Sequence, residues 1–258
     1  MPKLAANLST LFTEVPFLER FAAARRAGFR AVEYQYPYDF QPADVAAAAR
    51  EAGVQVVLHN TPRGDPARGE HGTACLPGRE AVFRETLERA IEYARAVSCS
   101  RLHCLAGVIP QGADRGELRR TYVQNLKYAA ARLQRERISV LIEPLSPRTV
   151  GSYFLGGSAQ AVSVLEELGA DNAFLQFDFF HLQMMEGDLA GKAERLLARI
   201  GHMQVADAPG RHEPGTGEIN FEFLFRHVDA LGYGGWIGCE YNPAGDTLEG
   251  LKWAKPYL

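Results

Sequence analysis

Acidic and amide side chains stand at the ends of several short apolar runs in this sequence of 258 residues. The carboxylates are Glu143 in VLIEPL, Asp178 in LQFDFF and Glu240 in IGCEYN, and the amide is Gln204 in HMQVAD. Burial of a carboxylate costs several kcal/mol unless the group is paired or binds a cation. A donor set made only of oxygens favours a hard divalent ion, Mg²⁺ or Mn²⁺, over zinc. If these four residues meet, they form a candidate metal site with room left for substrate oxygens.

Histidine and arginine side chains near the same positions are candidates for contact with a substrate. His59 ends VVLHN, and His103 lies in RLHCL. His59 is predicted to reach the substrate, with a core histidine bonded to the backbone as the alternative, and for His103 that core interpretation is preferred. Arg211 is the clearest basic residue nearby, and one arginine does not neutralise three carboxylates.

Each of these residues alone also has an ordinary structural interpretation. A glutamate at a strand end is commonly salt-bridged or solvated, and Asp178 could cap a following helical turn. The joint pattern favours a metal, because polar residues end seven of the eight predicted strands. Those residues are Glu33, His59, His103, Glu143, Asp178 with His181, Gln204 and Glu240.

Short strand-like runs alternate with longer stretches of helical periodicity along the whole chain. Such alternation indicates a parallel sheet that is covered on its faces. Eight strand–helix units in about 250 residues, without a linker rich in Pro, Gly or Ser, predict a single-domain (β/α)8 TIM barrel over residues 1–258. A doubly wound open sheet is the competing architecture. In a barrel, the carboxyl ends of the strands share one mouth, where the active site lies.

The boundaries of the predicted elements follow from the apolar runs and from turn residues. Glycines at four helix-to-strand junctions, Gly28, Gly53, Gly169 and Gly232, are expected to be left-handed C-caps. The irregular stretch Asn60–Pro77 follows the third strand, so it is expected on the rim of the mouth, where long loops tend to be functional. The predicted strands are Leu4–Leu8, Phe29–Gln35, Gln55–Asn60, Arg101–Ala106, Ser139–Leu145, Phe174–His181, His202–Ala206 and Trp236–Tyr241. The predicted helices are Pro16–Ala27, Ala43–Ala52, Arg79–Val97, Arg115–Arg137, Ser158–Leu168, Leu189–Arg199, Phe221–Leu231 and Thr247–Trp253.

Composition and charge disfavour several classes of protein. Hydrophobic residues make up 47% of the chain and charged residues 23%, which is ordinary globular usage. The formal net charge is −3, so nucleic acid is not expected as a partner. The four scattered cysteines fit free thiols in a reducing cytoplasm, and no apolar run of about 18 residues indicates a membrane span. A small-molecule substrate is the expected partner, and a homo-oligomer stays open.

Several segments together resemble the hydroxypyruvate isomerase family, which belongs to the xylose-isomerase-like barrels. The segments span nearly the whole chain, and ADAPGRHEPGTGEINF is the most specific of them. The resemblance implies a divalent-metal isomerase in which Glu143, Asp178, Gln204 and Glu240 bind the ion. It also implies that Glu143 and Glu240 are the acid/base pair. The segments are NLSTLFTEVPFLERF, VEYQYPYDF, LIEPLSPR, LQFDFFHLQ, HMQVADAPGRHEPGTGEINF and WIGCEYNP.

The resemblance further implies a reaction and its alternatives. The expected activity is the interconversion of hydroxypyruvate, a small hydroxy-keto acid, and 2-hydroxy-3-oxopropanoate (tartronate semialdehyde) through an enediolate. His181 and Arg211 match positions that hold substrate oxygens in related enzymes. An isomerase of four-carbon 2-oxo-tetronate is the closest alternative. A ketose 3-epimerase is less expected, because those relatives commonly carry His where Gln204 stands and a glutamate where this chain has Ser146–Thr149.

Two further classes of protein stay open. A metal-dependent endonuclease can be built on the same barrel, but the net charge of −3 and the mostly carboxylate ligand set disfavour it. A non-catalytic barrel that binds small acids would show no exchange of substrate C–H with solvent deuterium.

Overall fold

Eight strands hydrogen-bond side by side in sequence order and close into a barrel in the computed structural model, which describes residues 1–258. All neighbouring pairs are parallel, and the last strand pairs with the first. The predicted (β/α)8 TIM barrel is therefore confirmed, and the open-sheet alternative is wrong. The strands are β1 (Lys3–Asn7), β2 (Ala31–Tyr34), β3 (Gln55–Asn60), β4 (Arg101–His103), β5 (Ser139–Ile142), β6 (Ala173–Asp178), β7 (Ile200–Val205) and β8 (Trp236–Cys239).

Helices cover the outside of the barrel and start and stop where the sequence carries the appropriate signals. Pro42 occupies the first turn of its helix, where a missing N–H costs nothing. Gly53 and Gly169 end two helices in the left-handed conformation that glycine adopts without strain. The helices are α1 (Phe17–Arg26), α2 (Pro42–Ala52), α3 (Glu80–Ala96), α4 (Arg115–Gln134), α5 (Ser158–Leu168), α6 (Phe179–Met185), α7 (Leu189–Leu196), α8 (Phe221–Ala230) and α9 (Thr247–Gly250).

The sixth strand is shorter than the apolar run that predicted it. The run Phe174–His181 divides into β6, which ends at Asp178, and α6, which begins at Phe179. Asp178 Oδ1 accepts hydrogen bonds from the backbone N–H groups of Phe180 and His181, so its side chain caps α6. The cap starts a helix where the pattern predicted continued strand, and it moves His181 onto the first turn of that helix.

Two β-bulges set which residues face the interior of the barrel. Between β2 and β3, Val32 pairs with Val56 but Glu33 pairs with Leu58, which leaves Val57 as the extra residue. Between β6 and β7, Leu175 pairs with Ile200 and the next residue along β6 pairs two positions further on, so β7 also carries an extra residue. A bulge reverses the alternation of side chains beyond it, and both bulges lie just before the residues at the mouth.

The barrel has an apolar outer layer and a mixed interior. A single large cluster of buried apolar residues fills the space between strands and helices. Inside the barrel, Ala5, Ala31 and Val57 form a small apolar cluster against Trp236. Farther toward the carboxyl ends of the strands, buried interior residues are polar. None of the helices combines the length and the apolar character that crossing a membrane requires.

Candidate active site

A cavity of about 60 Å³ opens at the carboxyl ends of the strands. The loop after β3, expected from the sequence on the rim of the mouth, contributes His71 to its wall and pairs with the segment after β4 through a bridge between Gly72 and Ala106. Tyr153 Oη accepts a hydrogen bond from the backbone N–H of Ala106 at 2.7 Å and closes the same side. The lining residues are Gln35, Tyr36, Asn60, His71, His103, Leu105, Glu143, Leu145, Thr149, Val150, His181, Arg211 and Glu240.

Carboxylates from two neighbouring strands meet at this end of the barrel, with Glu143 in the wall of the cavity and Asp178 next to Glu143. Glu143 directly follows β5 and Asp178 ends β6, and both are almost completely buried. Glu143, Asp178 and His181 each offer a donor atom, and these atoms lie within 4.8 Å of one another. Glu143 Oε1 and Asp178 Oδ2 are buried without a hydrogen-bond donor in the protein. Carboxylate oxygens of this kind fit a cation, because an unpaired buried carboxylate oxygen is costly.

Arg211 lies between the carboxylates and Glu240, which follows β8. Its Nη2 atom is 3.0 Å from Glu240 Oε2 and 4.0 Å from Asp178 Oδ2. The other oxygen of Glu240 accepts hydrogen bonds from Gln35 Nε2 at 2.7 Å and from Asn7 Nδ2 at 3.3 Å. The guanidinium therefore supplies one positive charge to an acidic site, which leaves a negative balance among three carboxyl groups.

The ionisation of these carboxyl groups is strongly affected by burial. Burial raises the pKa of Glu143 well above its ordinary value, and the charges of Glu240 and Asp178 raise it further. Burial also raises the pKa of Glu240, to about 7, although Arg211 opposes the shift. The pKa of Asp178 is raised by burial against the effect of Arg211 and of the N–H groups that it accepts. A carboxyl group with a pKa near neutrality, as Glu240 has, can both donate and accept protons under physiological conditions.

His181 presents a hydrogen-bond donor to the cavity. The backbone N–H of Ser146 donates to His181 Nδ1 at 3.1 Å, so in the neutral imidazole the proton resides on Nε2. Burial and the nearby Arg211 lower the pKa of His181 well below its ordinary value, which keeps the ring neutral. Its Nε2 lies 3.7 Å from Asp178 Oδ2. This tautomer fits a donor to a substrate oxygen better than it fits a metal ligand, which needs a lone pair on Nε2.

Gln204 lies beside Asp178, its pairing partner across β6 and β7, and is buried. Its Nε2 donates to Glu33 Oε1 at 2.7 Å, and its Oε1 accepts from Gln176 Nε2 at 2.6 Å. A carbonyl oxygen has two lone pairs, so the Gln204 oxygen keeps one for a further partner. The four predicted metal ligands thus lie at the ends of the strands β5 to β8.

His59 is not brought to the cavity. Its ring stacks on Tyr34 with centroids 5.8 Å apart and packs against Tyr38, and neither tyrosine lines the cavity. The bulge at Val57 is the reason. It places His59 opposite Tyr34 on the neighbouring strand β2, so the two side chains point to the same face of the sheet. The next residue, Asn60, lines the cavity instead. The predicted contact of His59 with substrate therefore finds no support in this geometry.

The sequence-based interpretation of His103 as a core histidine bonded to the backbone is wrong. Neither ring nitrogen of His103 has a hydrogen-bond partner in the protein, and the residue lines the cavity. Its Nδ1 lies 3.4 Å from Glu143 Oε2. Gln35 and Asn60 also line the site, although the pattern of ionisable strand ends does not select them. One feature of the sequence could have indicated Gln35. It lies two residues after Glu33, so in an extended strand the two side chains point to the same face.

The segment ADAPGRHEPGTGEINF folds into a loop that is organised by Asp207. One oxygen of Asp207 accepts from the N–H of Ile219 at 3.0 Å and the other from the N–H of Gly215 at 2.8 Å. The backbone N–H of Arg211 donates to the Asp207 carbonyl oxygen at 2.7 Å. Arg211 itself has a left-handed backbone with φ of 57°. The loop therefore fixes the direction in which the guanidinium enters the site.

Comparisons with known proteins agree with this arrangement. The profile of the xylose isomerase-like TIM barrel family matches residues 21–257. A 2-oxo-tetronate isomerase of Cupriavidus necator is 48% identical over 258 residues, which cover 100% of this chain and 99% of that protein. The hydroxypyruvate isomerase of Escherichia coli is 43% identical over 257 residues and is covered completely, as is this chain.

A solved structure with the same fold bears a name of a different kind. It is described as an AP endonuclease, family 2, from Brucella melitensis, and it superposes with a TM-score of 0.97 at 44% identity over 100% of this chain and 99% of its own. The identities to the two proteins named as isomerases, 48% and 43%, are similar and extend equally over the full length. The chain belongs to the hydroxypyruvate isomerase family of xylose isomerase-like TIM barrels, and it is an isomerase.

Proposed function

We propose that the protein interconverts hydroxypyruvate and 2-hydroxy-3-oxopropanoate through an enediolate, with Glu143 and Glu240 as the acid/base pair. The observation that carries the proposal is the meeting of these two buried carboxyl groups, both with raised pKa values, in one small cavity. Pockets for drug-sized ligands measure about 300–1,000 Å³, so a cavity of about 60 Å³ favours a substrate of few atoms.

The reaction moves two protons and changes no other atoms. One glutamate takes a proton from C3 of hydroxypyruvate, and the other delivers a proton to C2, so that the C2 ketone becomes an alcohol as the C3 alcohol becomes an aldehyde. The hydroxyl proton passes from the oxygen of C3 to the oxygen of C2. Groups that carry protons in this way commonly contribute about 10²–10⁴-fold to a rate.

His181 and Arg211 are assigned to binding of the substrate. The Nε2–H of His181 points toward Asp178 and is available to an oxygen that gains negative charge in the enediolate. Arg211 enters from the loop after β7 and is the guanidinium of the cavity wall, which suits a two-pronged contact with the substrate carboxylate.

Mg²⁺ or Mn²⁺ is the proposed cofactor, held by Glu143, Asp178, Gln204 and Glu240. The fit rests on the unpaired oxygens Glu143 Oε1 and Asp178 Oδ2 and on the all-oxygen donor set. When bound, such an ion acts as a Lewis acid that polarises a carbonyl and acidifies the adjacent carbon.

Replacement of either glutamate tests the acid/base pair. Glu143→Gln and Glu240→Gln are expected to reduce kcat by at least about 10²-fold, because an amide carries no proton to or from carbon. Turnover is followed by NMR, together with exchange of the C3 proton of hydroxypyruvate for deuterium in D₂O, with buffer alone as the blank. Circular dichroism verifies that the variants are folded. Near-normal turnover in either variant would remove that residue from the pair.

A second candidate substrate is 2-oxo-tetronate, which is favoured by the relative of that name at 48% identity. It differs from hydroxypyruvate by one hydroxymethyl group on C3, so the same proton transfers apply to it. Purified protein should be assayed with both acids, and the larger kcat/KM identifies the preferred substrate. We expect hydroxypyruvate to be preferred, and a preference for the four-carbon acid by tenfold or more would replace it.

The endonuclease name of the Brucella structure calls for a direct test with DNA. The proposed ligands are at most 5% exposed, and the chain carries a net charge of −3, neither of which suits binding of a duplex. The protein should pass through a heparin column at low salt and leave abasic duplex DNA uncut. Firm retention together with Mn²⁺-dependent cleavage would contradict the proposed substrate class.

A further inference from the structure

A fully buried glutamate lies inside the barrel, below the candidate active site. Glu33, on β2, is 0% exposed, and three side-chain nitrogens point at its carboxyl oxygens. Oε1 accepts from Gln204 Nε2 at 2.7 Å and from Asn7 Nδ2 at 3.0 Å, and Oε2 lies 2.5 Å from His202 Nε2. This glutamate contacts no solvent and lies outside the lining of the cavity, so catalytic proton transfer does not explain it.

Neighbouring strands of the barrel provide the space and the partners for the Glu33 side chain. Gly238 on β8 faces it, and a Cβ atom at that position would collide with both carboxyl oxygens. The bulge in β3 pairs Glu33 with Leu58, and the bulge in β7 pairs His202 with Gln176. Polar side chains on the four strands β1, β2, β6 and β7 therefore form a layer that has Glu33 at its centre.

The contact between Glu33 and Gln204 fixes the direction of an amide. An amide can turn its oxygen or its nitrogen toward the site, and the two orientations differ only by a half-turn. Because a carboxyl oxygen accepts, the Glu33 side of Gln204 is its NH₂ group. The carbonyl oxygen points the other way, where it accepts from Gln176 Nε2 at 2.6 Å and keeps one lone pair for a further partner. Asn7 extends the same control to Glu240, since its Nδ2 donates to Glu33 Oε1 and also lies 3.3 Å from Glu240 Oε1.

We infer that Glu33 is a positioning residue for the metal centre, which orients the oxygen of Gln204 toward the ion and steadies Glu240 through Asn7. The inference rests on the ligand set given under the proposed function. Partners of this kind behind metal ligands typically contribute 10–100-fold to metal affinity.

The test measures Mn²⁺ binding to the full-length protein after metal has been removed, by the EPR signal of free Mn²⁺. Glu33→Gln is expected to raise the Kd for Mn²⁺ by about 10–100-fold. Glu33→Asp keeps the charge but withdraws it from Gln204 by one methylene, and we expect a loss of about tenfold or more. Glu70→Gln is the matched control, because Glu70 is also a buried carboxyl group but pairs with Arg79 away from the four ligands, and its Kd should not change.

A double-mutant cycle separates orientation from charge and from folding. In a Gln204→Ala background the amide that Glu33 orients is absent, so its orientation no longer matters. There, Glu33→Gln is expected to change the Kd less than threefold, whereas loss of a general charge effect or of the fold would cost as much as in the wild-type background. Equal losses in the two backgrounds, or no loss in the wild type, would overturn the inference. Failure of the wild-type protein to bind Mn²⁺ would overturn the proposed metal site as well, which distinguishes the two failures.

Discussion

Arg211 combines a strained backbone with a buried charge. A positive φ is unfavourable for a residue with a Cβ atom and persists only where the surroundings enforce it, and here the loop around Asp207 does so. The strain places one guanidinium within reach of both Glu240 and Asp178. A residue held in this way is suited to a specific contact with a small acid, because its position is fixed before the substrate arrives.

Replacement of Arg211 should therefore weaken substrate binding. Arg211→Lys keeps the charge but loses the planar fork, and we expect KM for hydroxypyruvate to rise by about 10–100-fold, the range for a lost charge-assisted hydrogen bond. Initial rates over a range of concentrations measure it, and an acid/base residue would change kcat instead. Arg148→Lys, in the loop after β5 and outside the cavity lining, is the control. An unchanged KM in Arg211→Lys would remove Arg211 from the carboxylate site.

His59 gives a prediction about pH and stability. Burial lowers the pKa of His59 from 6.5 to about 4 in the folded protein. The unfolded chain takes up a proton at this residue below about pH 6.5 and the folded chain does not, so this residue makes the protein less stable as the pH falls from 6.5 to 4. His59→Phe keeps a ring between Tyr34 and Tyr38 but cannot titrate, and it should reduce the slope of unfolding free energy against pH by up to about 1.4 kcal/mol per pH unit.

Urea unfolding at a series of pH values measures this slope. A wild-type slope that persists in His59→Phe would mean that His59 is not the buried neutral group described above.

The sequence predicts where the strands end, but it does not predict which residues near those ends point into the barrel. Glu143, Asp178 and Glu240 follow apolar runs, and the topology of a barrel brings the ends of all strands to one mouth. The position of His59 outside the cavity lining has a local cause, because one bulged residue in β3 reverses the alternation that places every later side chain. The β7 bulge acts in the same way, and neither leaves a clear signal in a run of apolar residues.

The start of α6 shows the same limitation at a helix. LQFDFFH reads as a continuous strand because apolar and aromatic residues predominate in it. Asp178 interrupts it by using one oxygen as an N-cap, while its other oxygen faces the active site. The capping role and the proposed metal-binding role thus fall to two oxygens of one side chain, and no pattern in the sequence distinguishes them.

The loop Ala206–Asn220 is an element whose disruption should affect activity without touching the reacting atoms. Asp207→Asn removes the negative charge that gathers the N–H groups of Gly215 and Ile219. The loop is expected to loosen and displace Arg211, and displacement of a binding group by about 1 Å can cost about 10²-fold. We expect kcat/KM to fall at least tenfold while the barrel stays folded.

Two further variants sharpen this prediction. Gly217→Ala should have a similar effect, because a Cβ atom there would collide with the Ala208 carbonyl oxygen and with Asp207. Glu218→Gln, an exposed change in the same loop, should leave kcat/KM unchanged. If Asp207→Asn retained full activity, the loop would not be what positions Arg211.

At the scale of the whole molecule, the barrel interior changes in character from one end to the other. The amino-terminal end is closed by the small apolar side chains of Ala5, Ala31 and Val57. A polar layer around Glu33 follows, and above it lie the carboxyl groups of the mouth. Acidic groups accumulate toward that end although the dielectric constant there is low, so the native state carries electrostatic repulsion that a bound cation would relieve.

This repulsion predicts that a divalent cation stabilises the folded protein. A ligand that binds only the folded state stabilises it by about 2.7 kcal/mol at one hundred times its Kd, which for a domain of this size corresponds to a rise in Tm of about 5–10 °C. We expect added Mn²⁺ to raise the Tm of chelator-treated protein by this amount, and Glu143→Gln to reduce the rise at equal Mn²⁺ concentration. Ca²⁺ at the same ionic strength separates a site that selects Mn²⁺ from general screening of surface charge. A Tm that does not respond to Mn²⁺, or that responds equally in Glu143→Gln, would mean that these carboxyl groups do not share an ion.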